Sequence, residues 1–444
     1  MTNSLEGGIF MDSIWTKSVE LPSFPQMQGD KKTEVLIVGG GMAGILCAYF
    51  FQEQGIDYIL AEGRTICSGI TKNTTAKITS QHGLIYHKLI KDIGIEKTAM
   101  YLKANQEALQ KYEELCQEIK CNFEIKPSYV YSLDDPWKIE QELSALLDVR
   151  FEAHFRRAEE LPFKVAGAVC FENQAQFHPL RFVASIVKNL NIYEHTFVKE
   201  LKGKVAVTNQ GNITFQKIIF TTHFPIDNKH GMYFLKMYQH RSYVIALKEA
   251  VDVKGMYVDE KDTGLSFRNY GEYLLLGGGS HRTGKTGGNW SELRDFANSY
   301  YPKAKEVCFW ATQDCMTLEG IPYIGQYSKF KKDYYVATGF NKWGMTSSMV
   351  AAKMLTDLVI GKENPYVEVF DPSRNIIKPQ LFLNAGEATI NLLTFSKKRC
   401  PHLGCSLKWN ETEKSWDCPC HGSRFDKEGG VIDNPATGDL KSMR

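Results

Sequence analysis

Residues 34–62 constrain the fold more than any other stretch of this chain. Glu34-Val-Leu-Ile-Val38 is a short apolar run rich in β-branched residues, the pattern of a strand buried on both faces. Gly39-Gly40-Gly41-Met42-Ala43-Gly44 follows, Ile45–Gln54 reads as a helix closed by Gly55, and Asp57–Ala61 reads as a second strand ending at Glu62. Strand, glycine turn, helix, strand, acid is the order of a dinucleotide-binding unit, which predicts an α/β fold built on a parallel sheet. Gly39 permits the tight turn, Gly41 lets a pyrophosphate approach the backbone, and Gly44 allows close packing of helix on strand. The helix N-terminus offers free N–H groups and a partial positive charge to the phosphates. Glu62 stands where a carboxylate would accept both ribose hydroxyls. A glycine-rich turn in some other α/β fold is the competing reading, and the fingerprint alone leaves FAD and NAD both open.

A second pattern lies near the C-terminus: Cys400-Pro-His402-Leu-Gly-Cys405, then Cys418-Pro-Cys420-His421-Gly-Ser423. A mixed-ligand [2Fe–2S] cluster needs two thiolates on one iron and two imidazoles on the other. A Cys-x-His pair and a Cys-x-x-His pair each supply one of each, which makes Cys400, His402, Cys418 and His421 the expected ligands. Zinc is the rival, because two cysteines and two histidines also suit it. The further pair Cys405 and Cys420, and the Gly-Ser after His421, favour the cluster. These loops resemble those of Rieske proteins. The resemblance implies a disulfide between Cys405 and Cys420 and a Ser423 hydroxyl bonded to a cluster sulfide. Where those proteins carry a tyrosine, this chain has Phe425. Rieske domains also have several strands ahead of the first ligand loop. Here a short connector precedes it, with Ile377, Leu381, Ala388 and Leu392 suggesting a helix.

Composition narrows the function classes. A chain of 444 residues, 43% hydrophobic, can bury two or three domains. A net charge of +2 with no basic stripe argues against a nucleic-acid partner. Eleven cysteines, seven of them scattered outside the C-terminal loops, suit a reduced compartment with one metal site. No basic region followed by an apolar stretch opens the chain, so no signal peptide is expected. The uncharged run Val35–Phe51 is short for a membrane span and contains three consecutive glycines. The chain is expected to be soluble and cytoplasmic.

Residues 31–375 resemble the D-amino-acid-oxidase/glycine-oxidase class of FAD-dependent oxidoreductases. The matching pieces are the fingerprint with Glu62-Gly-Arg64, Thr74-Thr-Ala-Lys77, Trp310-Ala-Thr-Gln-Asp314 with Ile321-Pro-Tyr-Ile-Gly325, and Thr338-Gly-Phe340-Asn-Lys-Trp-Gly344-Met345. The form fused to a C-terminal Rieske domain covers almost the whole chain. The resemblance implies a discontinuous Rossmann-like FAD domain, a strand-rich substrate domain and a small β Rieske subdomain. It implies FAD held by Gly39, Gly41, Met42, Ala43, Gly44, Glu62, Gly63, Arg64, Thr75, Ala76, Val198, Gly339, Phe340, Trp343, Gly344 and Met345. In that class the final helix N-terminus faces the flavin ring, where its dipole stabilises reduced flavin. The expected division is an arm over 1–30, loosely attached, and an oxidoreductase over 31–375 with a substrate subdomain within about 85–300. A connector helix over 376–397 and a minimal Rieske subdomain over 398–444 complete it.

The resemblance also implies a small-molecule substrate, an amine or amino acid, and leaves the electron acceptor unidentified. Arg241, Tyr243, Arg268 and His281 sit in the strand-rich middle, where this class builds its substrate pocket, and Lys342 sits in the final turn. Each is a candidate for substrate binding or catalysis, with a purely structural role as the alternative. The expected activity takes two electrons from the substrate to the flavin and passes them singly to the cluster. A Rieske oxygenase is excluded, since no histidine follows His421 to hold a mononuclear iron. An NAD(P)H-fed reductase needs a second fingerprint, and Gly277-Gly-Gly279-Ser-His281-Arg-Thr-Gly284 reads instead as a strand-ending turn. A redox sensor or electron carrier without a substrate is the non-enzyme alternative.

Overall fold

The run Val35–Ile37, fully buried, forms the middle of a strand over Lys31–Val38 at the centre of a mostly parallel sheet. In the computed structural model, which describes residues 9–227, 231–375, 377–396 and 398–440, this strand lies between Tyr58–Ala61 and Asn212–Phe220. Both neighbours are parallel to it, with Val35 opposite Tyr58 on one side and Lys217 on the other. Lys331–Thr338, Tyr323–Ser328 and Ile192–Tyr193 extend the sheet. The helices Met42–Glu53 and Gly344–Val359 pack against each other beside it. The apolar run that could pass for a membrane span is therefore a strand, a glycine turn and a buried helix. Among the described residues no helix is long and apolar enough to cross a membrane.

The strand-rich layer is not one insertion over 85–300. It takes Lys77–Ile78, Glu124–Ser132 and Gly167–Gln176 from one stretch, and Met237–Lys248, Met256–Asp259, Ser266–Tyr270, Tyr273–Arg282 and Lys305–Thr317 from another. Between the two, the chain returns to the nucleotide-type sheet through Asn212–Phe220. Gly277–Gly279 does not end a strand either. It lies inside Tyr273–Arg282, where Gly278 and Gly279 take φ of 157° and 59° opposite a bulge at Arg241/Tyr243. A Cβ on Gly279 would sit 2.3 Å from the Asn289 carbonyl oxygen. Glycine thus lets the helix Asn289–Tyr300 close onto the strand without breaking it.

The N-terminal arm is anchored rather than loose. Phe10–Met11 pairs with Cys308–Phe309 of the second sheet. Trp15 is fully buried, donates its indole N–H to the Thr74 carbonyl at 2.8 Å, and packs edge-on against His178 and Tyr270. The guanidinium of Arg268 lies over its ring. Pro22 and Pro25 make the arm irregular in sequence, but the burial of one large aromatic side chain decides its attachment.

The C-terminal module is a four-stranded antiparallel sheet of Lys408–Asn410, Ser415–Asp417, Arg424–Phe425 and Val431–Asp433. The helix Pro379–Leu393 leads into it and is tied on by Ser406 N–H to the Asn391 carbonyl at 2.9 Å. Its interior consists of Cys400, Cys405, Leu407, Cys418, Cys420, Phe425 and Ala436. So cysteine-rich a core leaves little apolar area to stabilise the module by burial alone.

Replacing Trp15 by alanine should destabilise the oxidoreductase region by about 3 kcal/mol, the scale of a buried aromatic lost to a cavity. Urea unfolding followed by fluorescence checks this, and an unchanged midpoint would contradict the anchoring of the arm.

Candidate functional site

The glycine fingerprint opens onto a cavity of about 480 Å³. The three glycines play separable parts. Gly39 has φ of 112°, and a Cβ there would stand 2.8 Å from the Thr221 carbonyl oxygen. A Cβ on Gly44 would meet the Gly39 carbonyl oxygen at 2.0 Å, so the helix cannot approach the turn with any larger residue. Around Gly41, by contrast, the nearest atom to a Cβ is Thr71 Oγ1 at 3.4 Å. Space is left above Gly41, on the cavity side, at the start of a helix with no acid in its first turn. That is a cradle for a phosphate approaching bare backbone.

Glu62 is held in place by its own backbone surroundings. Its carboxylate accepts N–H from Gly40 at 2.6 Å and from Arg64 at 2.8 Å. Burial pushes its pKa up against these bonds. Of the residues expected to touch the cofactor, Gly39, Gly41, Met42, Ala43, Glu62, Gly63, Arg64, Thr75, Val198, Gly339, Phe340, Trp343, Gly344 and Met345 all line this cavity. Gly44 and Ala76 do not: Gly44 is a packing glycine, and Ala76 turns its carbonyl to Arg268. The cradle, the acid and the helix start at Gly344 together fit FAD.

The strand-rich layer supplies the rest of the cavity wall through Ser242, Ser280, Thr312 and Asp314. Burial pushes the Asp314 carboxyl up to about 6. Lys77 also lines the cavity, with its ammonium donating to Thr75 Oγ1 at 3.1 Å, and burial beside Arg268 pushes it down to about 7. His82 stacks on Trp343 with ring centroids 5.1 Å apart, and burial pushes it down to about 3. The sequence singled out none of these three as site residues. Lys77 and Asp314 close two of the matching segments, but nothing in their spacing marks them as facing a cavity.

The five catalytic candidates are dispersed. Tyr243 and Lys342 line the cavity, and the Lys342 ammonium donates to the Asp262 carbonyl at 3.1 Å. Arg268 is fully buried outside the lining, donating to the carbonyls of Thr75 and Ala76, so it is not placed to meet a substrate carboxylate. Arg241 and His281 do not line the cavity, and they converge with the Tyr243 hydroxyl at the C-terminal module. Arg241 and Tyr243 bond the carboxylate of Glu413 in the C-terminal module, and the Tyr243 hydroxyl also bonds His281 Nε2 at 2.9 Å.

The two ligand loops are near copies of each other. Cys400 N–H donates to the Cys405 carbonyl and Cys418 N–H to the Ser423 carbonyl, both at 2.9 Å. Gly404 and Gly422, at φ of 82° and 85°, each return an N–H to the carbonyl of the loop's leading cysteine at 2.9 Å. These turns bring the Cys400 and Cys418 thiols within hydrogen-bonding reach and set the His402 and His421 rings 5.0 Å apart at 89°. Burial pushes His421 down to about 3, and its Nδ1 is buried without a protein partner. A neutral imidazole with one unsatisfied nitrogen, beside two clustered thiols, fits a metal centre. Cys405 and Cys420 are joined as a disulfide across the loops.

The module docks on the face of the second sheet. Gln239 donates to the carbonyls of His421 and Asn434, both at 2.9 Å, and Gln313 donates to that of Gly422 at 2.9 Å. Arg282 reaches the carbonyls of Pro419 and Cys420. The buried Glu413 carboxylate bonds both Arg241 and Arg424, and Arg424 also bonds Asp417 and Asp433. Burial would push Glu413 up, but the two guanidiniums outweigh it and hold the carboxyl down at about 2. Its contribution to stability is present above the ordinary carboxylate range and is lost as pH falls toward that value.

A nucleotide cradle and a Cys₂His₂ double loop on one chain define a flavin oxidoreductase carrying an iron–sulfur module. Comparisons place it more narrowly. Residues 34–358 match the model of the FAD dependent oxidoreductase family, and residues 378–444 match that of the Rieske [2Fe-2S] domain. The chain belongs to this FAD-dependent oxidoreductase family and carries a C-terminal Rieske domain, so its cofactors are FAD and a [2Fe–2S] cluster rather than zinc. It is 34% identical to YhfW of Bacillus subtilis (strain 168), assigned as a Rieske 2Fe-2S iron-sulfur protein, over 97% of each chain. Glycine oxidase from Geobacillus kaustophilus has the same fold over 78% of this chain and 100% of its own, with TM-score 0.66 and 17% identity. L-amino acid deaminase from Proteus vulgaris does so over 80% and 97%, with TM-score 0.63 and 16% identity.

Gly41→Val should fill the phosphate cradle and leave the purified protein without flavin, read as the loss of flavin absorbance. Full flavin content in that variant would refute the cradle. Glu413→Ala should strand Arg241 without a counter-charge, while Arg424 keeps Asp417 and Asp433, at a cost of about 3 to 5 kcal/mol to docking. Limited proteolysis should then cut the connector at 376–397, and cleavage no faster than in the parent would contradict the clamp.

Proposed function

We propose that this protein oxidises an amine or amino acid and passes the electrons out through its Rieske cluster. The observation that carries the reading is the two-sidedness of one pair of strands, Met237–Lys248 and Lys305–Thr317. One face presents Ser242, Thr312 and Asp314 to the flavin cavity, and the other holds the cluster loop through Gln239 and Gln313. FAD, when bound, takes two electrons from a substrate C–H bond and can release them one at a time, as a [2Fe–2S] cluster requires.

The chain's own groups prepare such a substrate. An amine must give up its ammonium proton before the carbon–hydrogen bond beside it can be oxidised. Asp314 and Lys77 line the cavity with affinities for protons near neutrality, one as carboxylate and one as amine. Either is suited to take that proton. The hydroxyls of Ser242, Ser280 and Thr312 offer orienting hydrogen bonds. His82, kept neutral, and Trp343 form a flat wall that excludes water. The fold neighbours that oxidise glycine or deaminate amino acids support the same substrate class.

Anaerobic addition of a panel of amines, amino acids, NADH and NADPH to the purified protein tests the reading. An amine or amino acid should bleach the flavin band while the nicotinamides leave it unchanged. Bleaching by a nicotinamide alone would replace the proposal with a reductase.

A further inference from the structure

One wall of the flavin cavity does not belong to the oxidoreductase domain. Val431, Ile432, Asn434, Ala436 and Thr437 of the Rieske module line it together with Gly41, Glu62 and Arg64. The segment is fastened on the cavity side. Arg64 Nη2 donates to the carbonyls of Val431 at 2.9 Å and Ile432 at 2.7 Å, and Asn434 Nδ2 donates to those of Thr222 and Phe224.

The same segment is fastened to the cluster loops. Ala436 N–H donates to Ser423 Oγ at 3.0 Å, and the Ser423 carbonyl accepts the N–H of Cys418 at 2.9 Å. Arg424, the residue after Ser423, pairs with Asp433 at 3.1 Å. Gln239 spans the two parts, bonding the carbonyl of His421 and that of Asn434. A short chain of hydrogen bonds therefore runs from the cluster ligands to the lip of the cavity.

We infer that residues 431–437 form part of the FAD-binding site, so that the cluster and FAD strengthen each other's binding. The interior of the module is mostly cysteine, and where the metal fills such a core its binding free energy is folding free energy. Loss of the cluster would release the segment and with it the cavity wall and the partners of Arg64. A site closed by a segment that a second ligand orders is coupled to that ligand, and the coupling is reciprocal. The inference holds whichever substrate reduces the flavin, so a failed substrate panel leaves it standing.

The test uses the full-length holoprotein. FAD is removed reversibly with the cluster retained, then titrated back while flavin fluorescence is followed. Gln239→Ala lies outside the cavity and Asn434→Ala lies on its wall. Each should weaken FAD about tenfold, within the usual span of coupled sites, with iron content unchanged. In the unmutated protein, saturation with FAD should slow the transfer of iron to an added chelator by about the same factor, and this arm needs no variant to fold. FAD affinity within about twofold of the parent in both variants, or iron release at the same rate with and without FAD, would overturn the inference.

Discussion

Strand alternation is the constraint on which the arrangement of this molecule rests. Successive side chains of a strand point to opposite faces. In Met237–Lys248 and Lys305–Thr317 that rule sends Gln239, Arg241 and Gln313 to the Rieske module, and Ser242, Thr312 and Asp314 to the flavin cavity. A single sheet thus serves as the floor of one redox site and the docking face of another. A register slip of one residue in either strand would exchange the two sets and dismantle both.

The docking face is polar where a simple domain contact would be greasy. Backbone carbonyls of the cluster loop are capped by Gln239, Gln313 and Arg282, and the buried Glu413 carboxylate is neutralised by Arg241 and Arg424. Buried charge pairs contribute little net stability, but they are costly to break and they fix orientation. Such an interface suits a module whose position matters more than its independent stability. It also accounts for Arg241 and Tyr243, which look like substrate ligands from their place in the chain but meet Glu413 instead.

Much of this was legible in the sequence because local chemistry leaves local patterns. The βαβ fingerprint required Gly39, Gly41 and Gly44 at fixed spacing, and the cluster required its four ligands on two short loops. The attachment of Trp15 was not legible, since burial of one aromatic side chain depends on distant partners such as His178 and Tyr270. Gly277–Gly279 misled for the opposite reason: glycines mark both turns and bulges, and only the helix packed over Gly279 tells them apart. The third wall of the cavity had no signature at all. Val431–Asp433 is an ordinary edge strand of a small sheet that runs on into an irregular segment, and its closeness to Arg64 exists only after two domains have docked.

The central claim is that flavin and cluster act as one path for electrons. The most direct measurement is an anaerobic single turnover with the reducing substrate, followed at once by flavin absorbance and by electron paramagnetic resonance of the cluster. The signal of the reduced [2Fe–2S] cluster should rise with the substrate present and oxygen absent, in step with partial recovery of the flavin band. A cluster that stays oxidised while the flavin recovers its colour only when oxygen is admitted would contradict the account.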